Sequence, residues 1–433
     1  MNVQLGAGQR SDLRVGHTWP AIDAQSTTYL SDEMQQTQAR VIVNGETIEE
    51  IESFEIADDV MAVGEEQRFT VVAPRKYRDK LRLGDSVELI MQHPAVNGGA
   101  PTTKHRGKVI RREASLTPNG GCVINVTTAD PGWHLQNSDA PIFIRLQGKT
   151  YAQLVDPATS PLFEKSWGFR GLRFGANAAL LRRSLKLGVA AAAIAAQQVL
   201  DPVHVIQVEP GQKPWDLIVE YCRRLNLLVN VSPDGYLSIY RPAIGGKASY
   251  SLRCVEGDAG NNVLSASVSE DARTRYTEVT VVGEQFGYEG SQDPNDPNAS
   301  KKVGRVYHKD ALPFVHRLCA ADGEMFANSL AQKQAEWLYR RNLYDSLAIT
   351  VEVAEHHQGG LWWAADSLVN VQIDDLGLYG NFYLQACRCT SSKTDGDKTT
   401  LTLRMPDLLS AAFGELPNPP IYRAYSVGGG PSK

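Results

Sequence analysis

The clearest pattern of hydrophobic and polar positions lies between Val205 and Pro242. Five apolar residues there follow helical spacing and fall on one stripe: Trp215, Ile218, Val219, Cys222 and Leu225. Pro214 suits the first helical turn, because a proline loses no hydrogen bond there. Downstream, Pro233-Asp234-Gly235 supplies a preset φ, a side-chain acceptor and a residue free to adopt positive φ. The segment therefore predicts a compact unit of strand, helix and hairpin.

A different pattern, alternation of apolar and polar residues, predicts β strands from Ala39 to Asp130. Asn44-Gly45 lies between two such runs, and this dipeptide is the strongest short-range signal of a two-residue hairpin. Further strands follow from alternation and from turn residues between them: 54–56, 69–71, 86–91, 107–111 and 122–127. Short antiparallel strands at this spacing favour a small barrel or sandwich.

Alternation returns at Val263 and predicts a second β region. It is clean over Arg275–Val282, and helical spacing places Leu330, Trp337 and Leu338 on one face of a helix over 327–341. The remaining predicted strands complete the region: 347–353, 367–373, 381–390 and 399–405. The polar segment 287–300 predicts a long loop.

These patterns predict an α+β fold that is mainly β, with two antiparallel β domains, the first a small barrel or sandwich, on either side of a mixed α/β centre. A chain of 433 residues exceeds one ordinary hydrophobic core, so several domains are expected. The predicted boundaries follow the changes of pattern: a polar arm at 1–38, a first β domain at 39–130, a mixed centre at 131–262, a second β domain at 263–410, and a Pro/Gly-rich tail at 411–433.

Composition adds few restrictions. The chain is 42% hydrophobic and 21% charged, as in a soluble globular protein. A net charge of −5 gives no electrostatic reason to expect nucleic acid or an anionic membrane as the main partner. Six cysteines scattered through a long chain do not resemble a disulfide framework, so we expect reduced thiols in a protein assembled in the cytosol.

Two segments bear on membranes and export. The first twenty residues lack the apolar core of a signal peptide, so we do not expect Sec-dependent export. Leu187–Ala196 has no polar side chain, but a bilayer requires about twenty apolar residues. We expect an Ala-rich helix packed against a neighbour, and a membrane-interacting helix is the minor alternative.

The sequence nominates no metal site. His356-His357 and Cys387-x-Cys389 come from neighbouring predicted strands, but neither forms the C-x₂-C pair typical of zinc sites. Alternation along a strand points the two histidines to opposite faces. Cys387 and Cys389 share a face, which a core position explains equally well because free cysteine is among the most buried residue types.

The sequence also nominates no catalytic residue and no cofactor. It has neither a G-x-S-x-G nucleophile motif nor a Walker motif, and Gly6-Ala7-Gly8 lacks the strand and third glycine of a dinucleotide loop. A wall-degrading enzyme needs two carboxylates at a set separation. We interpret the carboxylate clusters as solvated faces: Glu49, Glu50 and Glu52; Glu65 and Glu66; Asp374 and Asp375. We therefore predict that the protein is not an enzyme.

Aromatic residues allow two interpretations. Trp362-Trp363 follows Gly359-Gly360-Leu361, with Tyr379, Phe382 and Tyr383 nearby in sequence. Tryptophan and tyrosine are enriched in protein interfaces, and they are also ordinary core residues. For the tryptophan pair the two interpretations stand equal.

Taken in order, these motifs resemble the baseplate hub proteins of contractile phage tails, especially the Mu-type family, over residues 39–410. The resemblance has four parts: Val41–Gly45 with Leu83–Val87; Pro210, Gly211, Trp215, Asp234, Gly235, Leu237 and Arg241-Pro242; Trp337, Arg340-Arg341, Gly359–Trp362, Leu368-Val369 and Val371; and Leu401–Leu408. Ala365-Asp366 stands where the family has Pro-Gly. Segments 187–196 and 287–300 fit the family pattern poorly and resemble additions of this protein.

The resemblance implies a structural protein that forms a trimeric ring, with two tube-like β domains per subunit giving six similar units around a pore. Such a ring joins the hexameric tail tube to the trimeric central spike. The implied partners are further copies of the chain, the tail tube protein, the central spike protein and other baseplate proteins, with the tape measure protein as a further candidate. The implied location is the tail baseplate of the virion, after assembly in the host cytoplasm. Specific nucleic-acid binding is not implied, although DNA passes through such channels.

Two alternatives stay open. One is a peptidoglycan hydrolase acting at the tail tip. The other is the hub component of a phage-like secretion or injection system, because the N-terminal half of type VI secretion spike proteins resembles such hubs. The sequence does not assign partner-binding residues under any of these interpretations.

Overall fold

A computed structural model describes residues 37–48, 50–72, 74–77, 79–117, 121–141, 155–174, 208–224, 228–240, 247–283, 303–308, 311–322, 328–392, 395–406 and 421–422. The strands are β1 (Gln38–Val43), β2 (Glu46–Ile48), β3 (Ile51–Asp59), β4 (Glu66–Val72), β5 (Ser86–Gln92), β6 (Thr102–Thr117), β7 (Gly121–Ala129), β8 (Leu172–Phe174), β9 (Leu228–Val231), β10 (Leu237–Tyr240), β11 (Tyr250–Cys254), β12 (Val263–Glu270), β13 (Glu278–Gly283), β14 (Val303–Tyr307), β15 (Arg317–Asp322), β16 (Leu347–Ala354), β17 (His357–Gln358), β18 (Leu361–Trp362), β19 (Ser367–Ile373), β20 (Leu378–Ser392), β21 (Gly396–Arg404) and β22 (Ile421–Tyr422). The helices are α1 (Pro74–Tyr77), α2 (Gly132–Asn137), α3 (Pro214–Arg224) and α4 (Asn328–Ser346).

One large sheet contains most of the strands, in the order β2-β1-β5-β6-β7-β4-β3-β20-β21-β16-β12. We call β1 to β7 the N-terminal half-sheet, and β11, β12, β16 and β19 to β21 the C-terminal half-sheet. Every pairing along this order is antiparallel, and β11 joins the edge of β19 in parallel. The prediction of a mainly β, α+β fold is confirmed.

The two β regions are fused rather than closed into separate barrels. Within the described residues, the strand order of neither half-sheet closes on itself. The physical reason lies in β20, whose first half pairs with β19 and whose second half, Ala386–Ser392, pairs with β3. A register shift between Leu384 and Ala386 separates the two pairings. The edge of β3 that an isolated N-terminal barrel would use for closure is therefore occupied by the other half-sheet.

Each half-sheet buries one face in its own hydrophobic core. Val41, Val43 and Leu89 alternate with exposed or half-buried neighbours in the N-terminal half-sheet, as a pleated strand requires. Ile349 and Val351 do the same in the C-terminal half-sheet. The predicted Asn44-Gly45 hairpin is present, with φ of 49° and 88°.

The mixed centre contains the predicted helix and hairpin. Leu217 and Ile218 of α3 are fully buried, Trp215 and Val219 are half-buried, and all four belong to the core shared with β9 and β10. Gly235 takes a φ of 84° in the predicted turn, where its N–H donates to the Ser232 carbonyl. Strand β8 adds to β10 in parallel.

Several predicted features lie outside the described residues, namely most of the polar arm at 1–38, the Ala-rich helix at 187–196, Leu225 and the loop at 287–300. The predicted domain boundaries stay a prediction. Of the C-terminal tail, Ile421–Tyr422 pairs with Leu378–Tyr379 of the same chain. Cys122, Cys254, Cys319, Cys387 and Cys389 are free thiols.

A small α/β unit is inserted within the C-terminal region. Strand β13 pairs antiparallel with β14 and parallel with β15, and α4 covers one face of these three strands. The helix predicted over 327–341 is confirmed and extends to Ser346. In the described part of the chain, no helix has the length and apolar character needed to cross a membrane.

The α/β unit yields a stability prediction, because Gly304 of β14 lies against the backbone of α4. A Cβ atom at this position would overlap the main chain of Ala331, which cannot move without displacing the helix. We expect Gly304→Ala to lower the free energy of unfolding by about 1–3 kcal/mol and to raise hydrogen exchange in α4. Chemical denaturation and hydrogen-exchange mass spectrometry measure the two effects. The control is Thr280→Ala on the opposite face of β13, whose free energy of unfolding is expected within about 0.5 kcal/mol of wild type. Equal effects of Gly304→Ala and Thr280→Ala would contradict the close approach of Gly304 to the α4 backbone.

Candidate functional site

The residues with the most unusual environments lie where the two half-sheets meet. We call this region the seam, and it comprises the β3–β20 pairing together with the β17–β18 hairpin and its flanks, residues 355–363. The hairpin turns at Gly359-Gly360, whose φ values of 58° and 80° favour glycine. A Cβ on Gly360 would lie 3.2 Å from the Ala95 carbonyl oxygen, so the turn sits directly on the N-terminal half-sheet.

The two adjacent tryptophans enter different cores. Trp362 is 6% exposed and packs in the core of the N-terminal half-sheet, whereas Trp363 is 2% exposed and packs in that of the C-terminal half-sheet. The Trp362 indole N–H donates to Thr102 Oγ1 at 3.2 Å. The Tyr250 hydroxyl donates to the backbone carbonyl of Trp362. Of the two interpretations that the sequence left equal, core packing applies to both tryptophans, and the pair connects the two cores.

A polar network surrounds the register shift of β20. The side-chain amide N–H of Gln385 donates to both carboxylate oxygens of Asp59, at 3.1 and 3.2 Å. The backbone carbonyl of Gln385 accepts from the backbone N–H of Val60. The side-chain oxygen of Gln385 accepts from Tyr344 at 3.2 Å and from Arg404 at 2.9 Å. One glutamine thus connects β3, α4 and β21 at the point where β20 changes partners.

Three carboxyl groups beside this network, those of Glu65, Asp58 and Asp130, are half-buried or buried. Burial, reinforced by the charges of Asp58, Asp130 and Asp59, raises the pKa of Glu65 to about 9. Burial also raises the pKa of Asp58 and raises that of Asp130 to about 7, although backbone N–H groups of Gly132 and Glu65 oppose the shift of Asp130. Glu65 therefore holds a proton at neutral pH.

The carboxylate residues that the sequence pattern assigned to solvated faces differ in their exposure to solvent. Glu65 is half-buried, so its assignment to a solvated face is wrong, while Glu66 is exposed. Glu52, Asp374 and Asp375 are exposed. Glu50 accepts hydrogen bonds from Tyr77 and Lys76. Glu49 lies outside the described residues.

A histidine, a cysteine and an aspartate approach one another on the other side of the hairpin. His356 Nδ1 lies 3.0 Å from Thr399 Oγ1, and its Nε2 lies 3.7 Å from Asp397 Oδ1. Burial disfavours the imidazolium, but the neighbouring Cys389 and Asp397 outweigh it and raise the pKa of His356 to about 9. In turn, His356 lowers the pKa of Cys389 against the opposing effect of burial.

This grouping has the residue types of a nucleophilic site but not its access. Cys389 is 4% exposed and His356 is fully buried, so a substrate cannot reach the sulfur in this conformation. Cys387 and Cys389 share one face of β20 as predicted, yet Cys387 belongs to the core of the C-terminal half-sheet and Cys389 to the other core. Among the described residues no three or more His, Cys, Asp or Glu side chains are placed to hold a metal ion. The seam is built to join two cores.

No protein-family model matches the sequence, and no curated protein matches it either. Solved structures do match. The 43 kDa tail protein of prophage MuSo2 from Shewanella oneidensis is 17% identical, with a TM-score of 0.65 that covers 86% of this chain and 99% of the other. The tail protein from Neisseria meningitidis is 17% identical, with a TM-score of 0.63 over 87% and 99% of the two chains.

The chain has the fold of phage tail proteins. The resemblance predicted from the sequence is thereby confirmed at the level of the fold. A chain of the Francisella PdpA–VgrG complex is also similar, at 9% identity and a TM-score of 0.50 over 92% of this chain and 56% of the other. The two tail-protein likenesses each cover more than four fifths of this chain.

Sequence reasoning missed the polar network around Gln385. Asp59 and Gln385 are separated by most of the chain, and each occurs in a strand whose local pattern fits a surface position. The one signal for the seam in the sequence was the Trp362-Trp363 pair, which follows Gly359-Gly360. It indicated the hairpin but did not show that the two tryptophans pack in different cores.

The first prediction from the seam concerns the tryptophan pair. Replacing either tryptophan by alanine removes a buried aromatic side chain, which costs about 3–5 kcal/mol in a protein core. We expect Trp362→Ala to raise hydrogen exchange mainly in β1 and β5, and Trp363→Ala to raise it mainly in β11 and β19. Each variant is the matched control of the other, measured by hydrogen-exchange mass spectrometry. The same pattern of loosening in both would show that the two cores are not separately anchored.

The second prediction concerns pH. Glu65 ionises near its ordinary pKa of 4.5 when the chain is unfolded and near 9 when folded, so the folded state holds the extra proton between these values. Its contribution therefore makes the protein less stable as pH rises from about 4.5 to about 9. We expect Glu65→Gln to remove this pH-dependent loss of stability. Between pH 6 and pH 8 its free energy of unfolding should exceed that of wild type by on the order of 1–2 kcal/mol.

Urea denaturation at several pH values measures this effect. Glu66→Gln is the matched control, because Glu66 is the exposed neighbour in sequence. An equal pH dependence of Glu65→Gln and wild type would contradict the assignment of a protonated Glu65 to the folded state.

Proposed function

We propose that this chain is the structural hub protein of a phage tail baseplate. In this proposal three copies form a ring that joins the hexameric tail tube to the trimeric central spike and lines the central channel. The observation that carries the proposal is the continuous sheet across the β3–β20 pairing, which makes one chain a fixed pair of β units. Likeness to two tail proteins over 99% of their lengths supports it.

The symmetry argument follows from the two half-sheets. Each is a predominantly antiparallel β unit with its own core, so three copies contribute six units around a ring. Six similar units suit a six-fold tube on one side, while the three chains keep three-fold symmetry for a spike on the other. The seam serves this role because any flexing between the two units of one chain would break the six-fold arrangement.

The proposal includes a non-enzymatic role, location in the virion tail after assembly in the host cytoplasm, and membership of a contractile tail. The partners are other copies of the chain, the tube, the spike and neighbouring baseplate proteins. Burial of Cys389 and His356 favours a structural role over hydrolysis. DNA passes through the channel without being read specifically, consistent with the net charge of −5.

A second candidate function is the hub component of a phage-like secretion or injection system. The likeness to a chain of the Francisella PdpA–VgrG complex favours it. The same ring would serve there, so the two candidates differ in the particle that contains the chain and not in the role of the fold.

Oligomeric state tests the proposal directly. Size-exclusion chromatography with light scattering at high protein concentration is expected to give three times the 47.5 kDa mass of the chain. Addition of the tail tube and central spike proteins of the same particle is expected to yield a complex that contains all three. A strict monomer in the presence of both partners would contradict the hub.

Two further measurements separate the alternatives. Release of soluble fragments from purified cell wall by wild type, abolished in Glu65→Gln, would favour a hydrolase. Electron microscopy of particles carrying a tagged chain distinguishes a phage tail from a secretion device. We expect the tag at the distal end of the tube in either particle.

A further inference from the structure

Two buried histidines face each other across the seam. His93 follows β5 in the N-terminal half-sheet, and His357 lies in β17 of the hairpin. Their Nε2 atoms are 3.4 Å apart and their ring centroids 4.1 Å apart. The residues are 9% and 4% exposed. The Trp362 ring meets both imidazoles edge-on, with centroids at 6.5 and 6.0 Å.

Backbone geometry determines which nitrogens carry protons in the neutral pair. The Ala95 N–H donates to His93 Nδ1 at 3.1 Å, so this nitrogen presents a lone pair. A neutral His93 therefore carries its proton on Nε2 and directs it at His357 Nε2. His357 accepts at that atom and carries its own proton on Nδ1. One proton lies between the two facing nitrogens.

Adding one more proton to the neutral pair removes this arrangement. On His357 Nε2 it would place two N–H groups head to head at a buried site, where neither can accept and their dipoles oppose each other. On His93 Nδ1 it would oppose the Ala95 N–H. Imidazoles are the side chains that ordinarily gain a charge between about pH 8 and pH 5. Acid is therefore the condition that the pair does not tolerate.

Charged side chains around the pair determine how an imidazolium at His357 is stabilised. Glu355 Oε2 lies 3.6 Å from His357 Nε2, on the same hairpin. Lys104 of β6 lies over the Trp362 ring at 5.3 Å and adds positive charge on the side of the N-terminal half-sheet. Asp397 of β21 faces the neighbouring His356, whose raised pKa of about 9 makes it a further positive charge next to His357 in the chain. Glu355 attracts an imidazolium at His357, while Lys104 and His93 repel it.

We propose that the His93–His357 pair is an acid-sensitive latch of the seam. At neutral pH the shared proton holds the β17–β18 hairpin against the N-terminal half-sheet. On acidification His357 gains a proton on Nε2, and this atom then donates to Glu355 instead of accepting from His93, so that the hairpin shifts and Trp362 withdraws from the core that it fills. The N-terminal half-sheet then loses its hairpin anchor, while the β3–β20 hydrogen bonds remain.

Hydrogen-exchange mass spectrometry on the full chain tests the latch, with rates corrected for the intrinsic effect of pH. Between about pH 7.5 and pH 5.5, we expect protection to fall about tenfold in peptides covering 93–101 and 355–363. Protection in α4 is expected to stay constant. Unchanged protection of the two seam segments in wild type would by itself overturn the proposal.

Variants assign the response to the pair. His357→Gln retains a polar group near Nε2 but gains no proton, and His93→Asn retains an acceptor for Ala95. Both are expected to lose the acid response. The control His308→Asn, at an exposed histidine stacked on Tyr339, is expected to keep it. An acid response in both seam variants equal to that of wild type would overturn the latch.

A milder variant covers the case in which the histidine substitutions impair folding. Glu355→Gln removes the attracting carboxylate at a half-buried position and is expected to move the acid response to lower pH. Glu352→Gln, on the adjacent β16, is its matched control and is expected to leave the response unchanged. Identical responses in Glu355→Gln and wild type would contradict the assigned route of the imidazolium.

Discussion

The rest of the structure depends on the change of partner along β20. A strand can satisfy its backbone hydrogen bonds on only two edges, and β20 uses one edge for β19 first and for β3 afterwards. The change of partner coincides with a register shift between Leu384 and Ala386 in the pairing of β20 with β21 on its other edge, and such a bulge bends a strand locally. Everything that joins the half-sheets gathers there: the Gln385 network, the two tryptophans and the buried carboxyl groups.

The seam combines apolar anchoring with polar specificity. Trp362 and Trp363 contribute large buried aromatic surfaces to two cores, and such burial is strong but has little directional preference. Gln385, Asp59, Tyr344 and Arg404 add directed hydrogen bonds, which are costly if any partner is missing. A relative shift of the half-sheets by one residue would break the Gln385–Asp59 hydrogen bonds, which join β20 to β3. The polar network thus selects one register from those that the apolar contacts alone would allow.

Local pattern was sufficient to predict much of the fold. The Asn44-Gly45 turn, the stripe on α3 and the alternation in β16 and β21 each reflect interactions between residues close in sequence, and each is present. The β3–β20 pairing could not be predicted in this way, because alternation specifies which face of a strand is buried but not which strand lies beside it. For the same reason Glu65 was placed in solvent: its burial comes from contacts that form only when distant segments meet.

Pairing of β3 with β20 also sets the order of events during synthesis. Glu55 and Arg388, which form an ion pair across this contact, are 333 residues apart in the chain. The N-terminal half-sheet can complete its local pairings early, but one edge of β3 has no partner until β20 has left the ribosome. Contacts of such long range are slow to form, and an unpaired strand edge is a site of misassembly. The continuity that makes the finished protein rigid therefore gives it a vulnerable interval before completion, during which protection of that edge depends on other molecules in the cell.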